Sequence, residues 1–353
     1  MRRQNQHYFI LLLIIFFLSG CTSVQYYSQS IQGQFEVLKK RQDINDILDD
    51  PNVSSSLRDK LNTVLQLRQF STEQLGLPKN NSYLSYADLE RDYVIWNIFA
   101  NEEFSLEPLS WCYLIIGCLS YRGYFSQSEA EKNATHLKQQ GYDIYLGGVA
   151  AYSTLGWFDD PVLNTMLRWS ENYLATVMFH ELAHQQLYIK NDTEFNESYA
   201  DAVAHIGVTR WLRQKHDKGL LDEYNQSQIH EKIFVALVMR YKSILNKLYH
   251  SSEDKKTKRS RKKNLFQKMQ TEYFEMTKSW GENPYKKWFS SDINNAKLAS
   301  VVTYRKHVPA FLEIYEKLNK NLAQFYSFSK SLSSCNPMKR KEILKTRKIE
   351  FEC

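Results

Sequence analysis

Apolar positions along the chain change their period repeatedly, and each change marks a new element. An apolar run from Tyr8 to Leu18 follows Arg2 and Arg3; it is too short to span a bilayer as a stable helix and has the length of a signal-peptide core. Over 34–70 the apolar residues return at helical spacing, with Phe35, Leu38, Ile44, Ile47 and Leu48 forming one stripe. The pattern then shortens. Tyr93–Phe99 and Tyr113–Ile116 are β-branched and aromatic runs that predict strands. "SQSEAEKNATHLKQQG" (126–141) predicts a helix closing on Gly141, and "YDIYLGGVAAYSTLGW" (142–157) predicts another strand. From Asp160 onward nearly everything reads as helix, with Asp160 as an N-cap and Pro161 at the first helical position. The expected class is α+β: a small mixed sheet with an edge strand, followed by a predominantly helical body. No Pro/Gly/Ser-rich linker or internal repeat splits it. The expected division is a signal segment 1–20, an N-terminal helical segment 21–84, a main domain 85–330 and a tail 331–353.

Composition changes this picture in a few places. Leu18-Ser19-Gly20-Cys21 looks like a bacterial lipobox, so residues 1–20 are expected to be removed and Cys21 to be diacylated as the new N-terminus. Thr22 follows the cysteine, where the lipoprotein pathway reads an aspartate as retention at the inner membrane. The expected location is therefore the periplasmic face of the outer membrane, with lipid as the anchor. Loss of Arg2 and Arg3 lowers the formal charge from +7 to +5, too small an excess to call for a nucleic-acid partner. The one dense basic run, "SSEDKKTKRSRKKN" (251–264), lies between two long helical patterns and reads as a solvated loop or helix tip. Cys112, Cys118, Cys335 and Cys353 remain after processing. In an oxidising compartment they allow three pairings, and proximity favours Cys112–Cys118 with Cys335–Cys353.

The chemistry concentrates in "FHELAHQQLYIKNDTEFNESYAD" (179–201). On a helix His180 and His184 lie one turn apart on one face, close enough to hold one ion, while Glu181 is rotated about 100° to stand beside it. This is the H-E-x-x-H arrangement of zinc hydrolases, in which the glutamate works on the activated water. "IKNDTEF" interrupts the helix, and Asn191 with Glu194 fits a capping box that starts a second one. Glu197 is then placed to supply the third ligand of a single Zn2+, and Asp201, one turn on, to accept a hydrogen bond from a ligand histidine. Ala200 and Ala204 permit close approach of the two helices. The apolar neighbours Val177, Met178, Phe179, Leu182 and Ala183 would make such polar residues costly to bury without a shared purpose. His205 shares the face but lies about 12 Å from Glu197 along the axis, so it reads as a core histidine.

The glutamate–aspartate spacing is similar to that of the gluzincin peptidases. The metzincin pattern needs glycine at 187 and histidine at 190, where this chain has Leu187 and Lys190. More widely the chain resembles the bacterial family of predicted lipoprotein aminopeptidases. The resemblance rests on the lipobox ending at Cys21, "WCYLIIGCLSYRGYF" (111–125), "YDIYLGGVAAYSTLGWFDDPVL" (142–163), "FHELAHQ" (179–185), "FNESYAD" (195–201) and "NNAKLASVVTYRKHVPAF" (294–311). One departure is that many gluzincins place the third ligand further along, so here a short turn must join the two helices. The resemblance implies a zincin-like fold and a peptide substrate. It also implies an edge strand, assigned to "GGVAAYSTLGW", that pairs with the substrate backbone, and an oxyanion-stabilising residue. Tyr304 is the first choice for that residue and His307 the second; Asp159 is a candidate for holding a substrate amine.

The expected function is thus zinc-dependent hydrolysis of peptide bonds by an aminopeptidase anchored in the bacterial envelope. His180, His184 and Glu197 hold the metal, and Glu181 and Tyr304 act on the reacting groups. Two alternatives stand beside it: an envelope endopeptidase or amidase, and a non-enzymatic lipoprotein with a structural zinc. Glu181 separates the last of these, because a structural site has no use for it.

Overall fold

The computed structural model describes residues 24–113, 117–281 and 283–353. The signal segment with Cys21 and the Leu114–Ile116 part of the second predicted strand lie outside the described residues. The helix expected over 34–70 is three helices: α1 over 24–39, α2 (Ile44–Asp49) and α3 (Ser55–Glu73). The first break falls where Asp43 turns extended and accepts from the Asn45 amide at 2.8 Å to cap α2. Ser54 caps α3 in the same way. The break reorders the apolar stripe. Val37, Ile44 and Ile47 are buried, whereas Phe35 is 67% exposed.

Among the described residues three small sheets follow in place of one. In the first, β1 (Gln42–Asp43) pairs antiparallel with β2 (Ser85–Ala87), and β2 pairs parallel with β8 (Val162–Leu163), so this sheet is mixed. The second has the order β6–β3–β7, all antiparallel, with β3 at Ile95–Asn101, two residues later than the run that predicted it. Its other strands are β6 (Arg122–Tyr124) and β7 (Asp143–Val149). β7 is an edge of this sheet, but the strand stops at Val149 instead of continuing to Trp157. The third is the antiparallel pair of β4 (Trp111–Tyr113) and β5 (Gly117–Leu119), where Cys112 and Cys118 face each other across the ladder and form a disulfide. Cys335 and Cys353 form the second disulfide.

Helix α4 (Gln127–Gln139), capped by Ser126, covers one face of the β6–β3–β7 sheet. There Ala130 and Leu137 meet Ile98, Ala100 and Tyr124. Alternation sends Phe99 to the opposite face, where its ring stands 5.5 Å from Tyr121 and 6.3 Å from Tyr145. Asp160 does not cap a helix. Pro161 leads into β8, and α5 (Asn164–Leu167) begins later. The buried Asp160 carboxylate instead accepts from the Thr154 amide at 3.0 Å and the Thr154 hydroxyl at 2.7 Å, closing the 154–160 turn.

The helical body comprises α6 (Glu171–Gln186), α7 (Thr193–Gln214), α8 (Lys218–Tyr249), α9 (Lys255–Met276), α10 (Lys286–Ser290) and α11 (Asn295–Arg305). It closes with α12 (Val308–Lys317), α13 (Leu322–Ser334) and α14 (Pro337–Thr346). The main core joins α3, α6, α7, α12, α13 and α14, so stretches 24–84 and 331–353 pack into the same core as the span between them. A second core of aromatic and aliphatic residues unites α8 to α11. The basic run supplies the first turns of α9, where Asp254 is the N-cap and Lys262 is buried against Asp143 at 2.6 Å. Among the described residues no helix is long and apolar enough to cross a membrane.

Close packing of α6 on α7 depends on Gly207. A Cβ there would fall 2.6 Å from Phe179 Cδ2 and 2.8 Å from Leu75 Cδ1, both in the fully packed core. Gly207→Val should therefore destabilise the protein by about 1–3 kcal/mol through overpacking, which exceeds the small gain in helix propensity. The shift in the urea unfolding midpoint at constant slope measures it.

Candidate metal centre

Ser170 caps α6, which runs without a break through His180, Glu181 and His184 and ends at Leu187 in extended conformation. The expected Asn191–Glu194 capping box does not form. Asp192 is the N-cap of α7, accepting from the Phe195 amide at 3.2 Å. Asn191 adopts a left-handed φ of 66°, and its side-chain oxygen accepts from the Cys118 amide at 2.7 Å. The shift follows from the short connection, because the chain must reverse direction before α7 can start. Asn196 clamps the reversal, accepting from the Ile189 amide at 2.8 Å and donating to the Ile189 carbonyl at 2.7 Å. The buried guanidinium of Arg340, from α14, donates twice to the Asp192 carboxylate at 2.8 and 2.9 Å and so holds the start of α7.

This geometry brings the predicted ligands together. His180 Nε2 lies 3.0 Å from His184 Nε2 and 3.3 Å from Glu197 Oε2, and His184 Nε2 lies 3.6 Å from the same oxygen. A triangle with these edges has all three corners about 1.9 Å from a common point, close to the roughly 2.0–2.2 Å of zinc bonds to nitrogen and oxygen. The three residues can hold a metal ion. Asp201 Oδ1 stands 2.8 Å from His180 Nδ1, which leaves Nε2 of that ring facing the triangle. His184 Nδ1 is buried with no hydrogen-bond partner among the described residues, so of the two rings His180 is the one oriented in this way.

The electrostatics favour a cation. Burial disfavours a charged His180, yet Asp201, Glu197 and Glu181 outweigh it and hold its pKa well above the usual imidazole value. Burial alone would raise Glu197, but its contacts with both histidines bring it down to about 2. Glu181 is not one of the triangle's corners, but its carboxyl feels the charges of His180, His184 and Glu197. Burial pushes its carboxyl above the ordinary value against the lowering influence of His180 and His184.

Tyr304 is brought to the site. Its ring stacks on Tyr121 at 6.5 Å, and the Tyr121 hydroxyl is 3.5 Å from Glu197 Oε1. Burial, with Glu197 and Glu181 nearby, keeps the Tyr304 phenol protonated far above its normal range; burial and Tyr304 do the same for Tyr121. His307 is placed elsewhere: its Nε2 is 3.7 Å from Glu194, a turn before Glu197. His205 pairs with the Tyr224 hydroxyl at 3.1 Å, the arrangement of a satisfied core histidine. Asp159 accepts from the Asn81 amide at 3.3 Å, and its carbonyl from Arg41 at 3.1 Å.

Two supports were not foreseen. Arg305 Nη1 donates to Asp201 Oδ2 at 2.7 Å, and its Nε pairs with Glu231 of α8 at 2.7 Å, so a chain of contacts runs Glu231–Arg305–Asp201–His180. Tyr121 is the other. Arg305 adjoins Tyr304 in the stretch already singled out, and Tyr121 sits within 111–125, but nothing in the spacing of either aims it at α7.

Fold and site together define an α+β protein in which two packed helices present a largely buried two-histidine, one-glutamate set able to hold a metal ion. The chain belongs to the family described as "Putative aminopeptidase", which matches residues 25–344. That membership supports a peptidase function. No curated protein and no solved structure matches the chain.

Replacing Glu197 by Ala should abolish tight metal binding, since two histidines alone are left. Asp201→Asn should keep the metal but weaken affinity about 10- to 100-fold. Elemental analysis and chelator competition distinguish the two; stoichiometric metal in Glu197→Ala would mean that another group is the third ligand.

Proposed function

We propose that the protein is a zinc-dependent peptide-bond hydrolase, an aminopeptidase, anchored by lipid to the periplasmic face of the bacterial outer membrane. The observation that carries the enzymatic part is the His180–His184–Glu197 triangle with Glu181 beside it, in a chain of an aminopeptidase family. Nitrogen and carboxylate ligands in a compact three-donor set suit zinc and leave a fourth position for substrate or water. Bound zinc supplies Lewis-acid chemistry, making water acidic near neutral pH and polarising a carbonyl.

The remaining work falls to this chain's own side chains. Glu181 accepts a proton from the attacking water and returns it to the leaving amine, and its raised pKa brings it closer to the working pH of both steps. Asp201, steadied by Arg305, fixes the ring of His180. Tyr304 keeps its proton and donates a hydrogen bond to the carbonyl oxygen as negative charge develops there. Tyr121, stacked on it and touching Glu197, limits how far that ring can move. β7, an edge strand of its sheet, is the proposed partner of an extended peptide backbone beyond Ile144, whose carbonyl already accepts from the Asn294 side chain at 2.9 Å.

Glu181→Gln tests the enzymatic reading. Its amide cannot take up a proton at neutral pH, so turnover on the best peptide should fall at least 10²- to 10⁴-fold while metal content and thermal melting stay near wild type. Equal turnover in the two proteins would sink the mechanism, and a zinc-loaded wild type inert on both free and N-blocked peptides would favour a structural zinc. Anchoring has its own test. Cys21→Ser should leave the precursor unlipidated and uncleaved after Gly20, because the cysteine supplies the thioether. Normal processing and membrane fractionation of that variant would remove the lipoprotein assignment.

A further inference from the structure

Helix α1 has two apolar faces, and the protein uses only one of them. On the inner face Tyr26 packs edge-on against Tyr124 at 5.3 Å, with the Arg122 guanidinium 4.0 Å above its ring. Gln29 accepts from the Phe125 amide at 3.0 Å, Gly33 lies so close to Phe125 that a Cβ would overlap its ring, and Val37 is buried. Glu36 takes two hydrogen bonds from Arg91 at 2.7 and 3.0 Å. The helix is therefore docked firmly and in a fixed rotation.

The outer face carries Val24 at 67% exposure, Tyr27 at 45%, Ile31 at 55% and Phe35 at 67%. Their spacing of three, four and four residues places them on a single stripe. Apolar residues scattered singly over a surface need no explanation, but a continuous stripe marks an interaction face. The position of the stripe in the chain says what covers it. Val24 stands three positions after Cys21, the residue proposed to carry the lipid, so only Thr22 and Ser23 lie between the anchor and the start of the stripe.

We propose that the outer face of α1 lies in the membrane interface, with Val24, Tyr27, Ile31 and Phe35 inserted among the lipid headgroups and upper acyl chains. The lipid on Cys21 holds one end, and the stripe lays the helix flat, so the catalytic body is fixed in one orientation to the bilayer and does not swing on a flexible tether. This rests on the lipid-anchored reading of the protein. The polar face typical of an interfacial helix is here replaced by the face that packs on Tyr124 and Phe125. A tyrosine within the stripe suits the headgroup level, where an apolar ring and a polar hydroxyl are both satisfied.

The test uses the full chain, processed in its bacterial host, purified and reconstituted into vesicles of phosphatidylethanolamine and phosphatidylglycerol. Single cysteines replace Tyr27, Ile31, Phe35 or, as a control far along the chain, the 82%-exposed Met338, and each carries an environment-sensitive thiol dye. The two disulfides leave no other free thiol outside position 21. Mass spectrometry of the N-terminal peptide reports lipidation independently. Dyes at 27, 31 and 35 should shift to the blue and be quenched several-fold more by spin-labelled lipid than the dye at 338. A lipidated protein whose dyes at 27, 31 and 35 respond only to an aqueous quencher would overturn the proposal and leave the anchor intact. An unlipidated protein with aqueous dyes would overturn both. Efficient cross-linking between position-31 cysteines of two copies, with no lipid quenching, would assign the stripe to a dimer and overturn it as well.

Discussion

Everything at the centre of this protein depends on the contact between α6 and α7. Glu197 and Asp201 sit one turn apart on α7 and meet His180 and His184, one turn apart on α6, so three buried polar side chains and the part-buried His180 share one layer of an otherwise apolar interface. None of them is tolerable there alone. A buried carboxylate without a partner costs several kcal/mol, and it is the opposite charge or shared proton a few ångströms away that removes the penalty. The packing must therefore hold both helices in register to within a fraction of an ångström. Gly207, Ala200 and Ala204 allow that approach, and Asn196 and Asp192 fix the reversal between the helices.

The rest of the fold acts as scaffolding for this layer. α14 reaches back with Arg340 to hold Asp192, and α11 contributes Arg305 to Asp201 and the Tyr304 ring beside Tyr121. α8 supplies Glu231 behind Arg305. Contributions from so many remote parts of the chain explain why the segments before 85 and after 330 share the main core with the span between them. A three-residue set able to hold a metal ion has to be rigid to keep its donor atoms converged, and here the rigidity comes from charged pairs that cross between elements.

The same logic applies to α1 in reverse. Its inner residues find partners on the sheet, while the four outer ones stay largely exposed, which is what a face suited to a different environment would show. The hydrophobic pattern of the sequence shows that the helix is amphipathic. It cannot show which of two apolar faces is turned inward: Phe35 seemed to belong with Ile44 and Ile47, but the extended Gln42–Asp43 step re-aims the chain and leaves it outside.

Taken alone, the sequence determines whatever depends on short-range periodicity. The helical spacing of His180 and His184, the helix Gln127–Gln139 inside the 126–141 run and the α+β order of elements are all local in this sense, whereas chain proximity only favoured the disulfide pairing that the fold forms. Glu197 was legible as well, since a short connection forces the two helices to pack side by side. Local signals misjudged the points where a remote partner competes. Asn191 gives its side chain to Cys118 and so yields the cap to Asp192, and Asp160 turns inward to Thr154 and caps no helix. Tyr121 and Arg305 belong wholly to the tertiary structure. They lie 76 residues before Glu197 and 104 after Asp201, and only the folding of sheet and helices around one buried layer of charge brings them there.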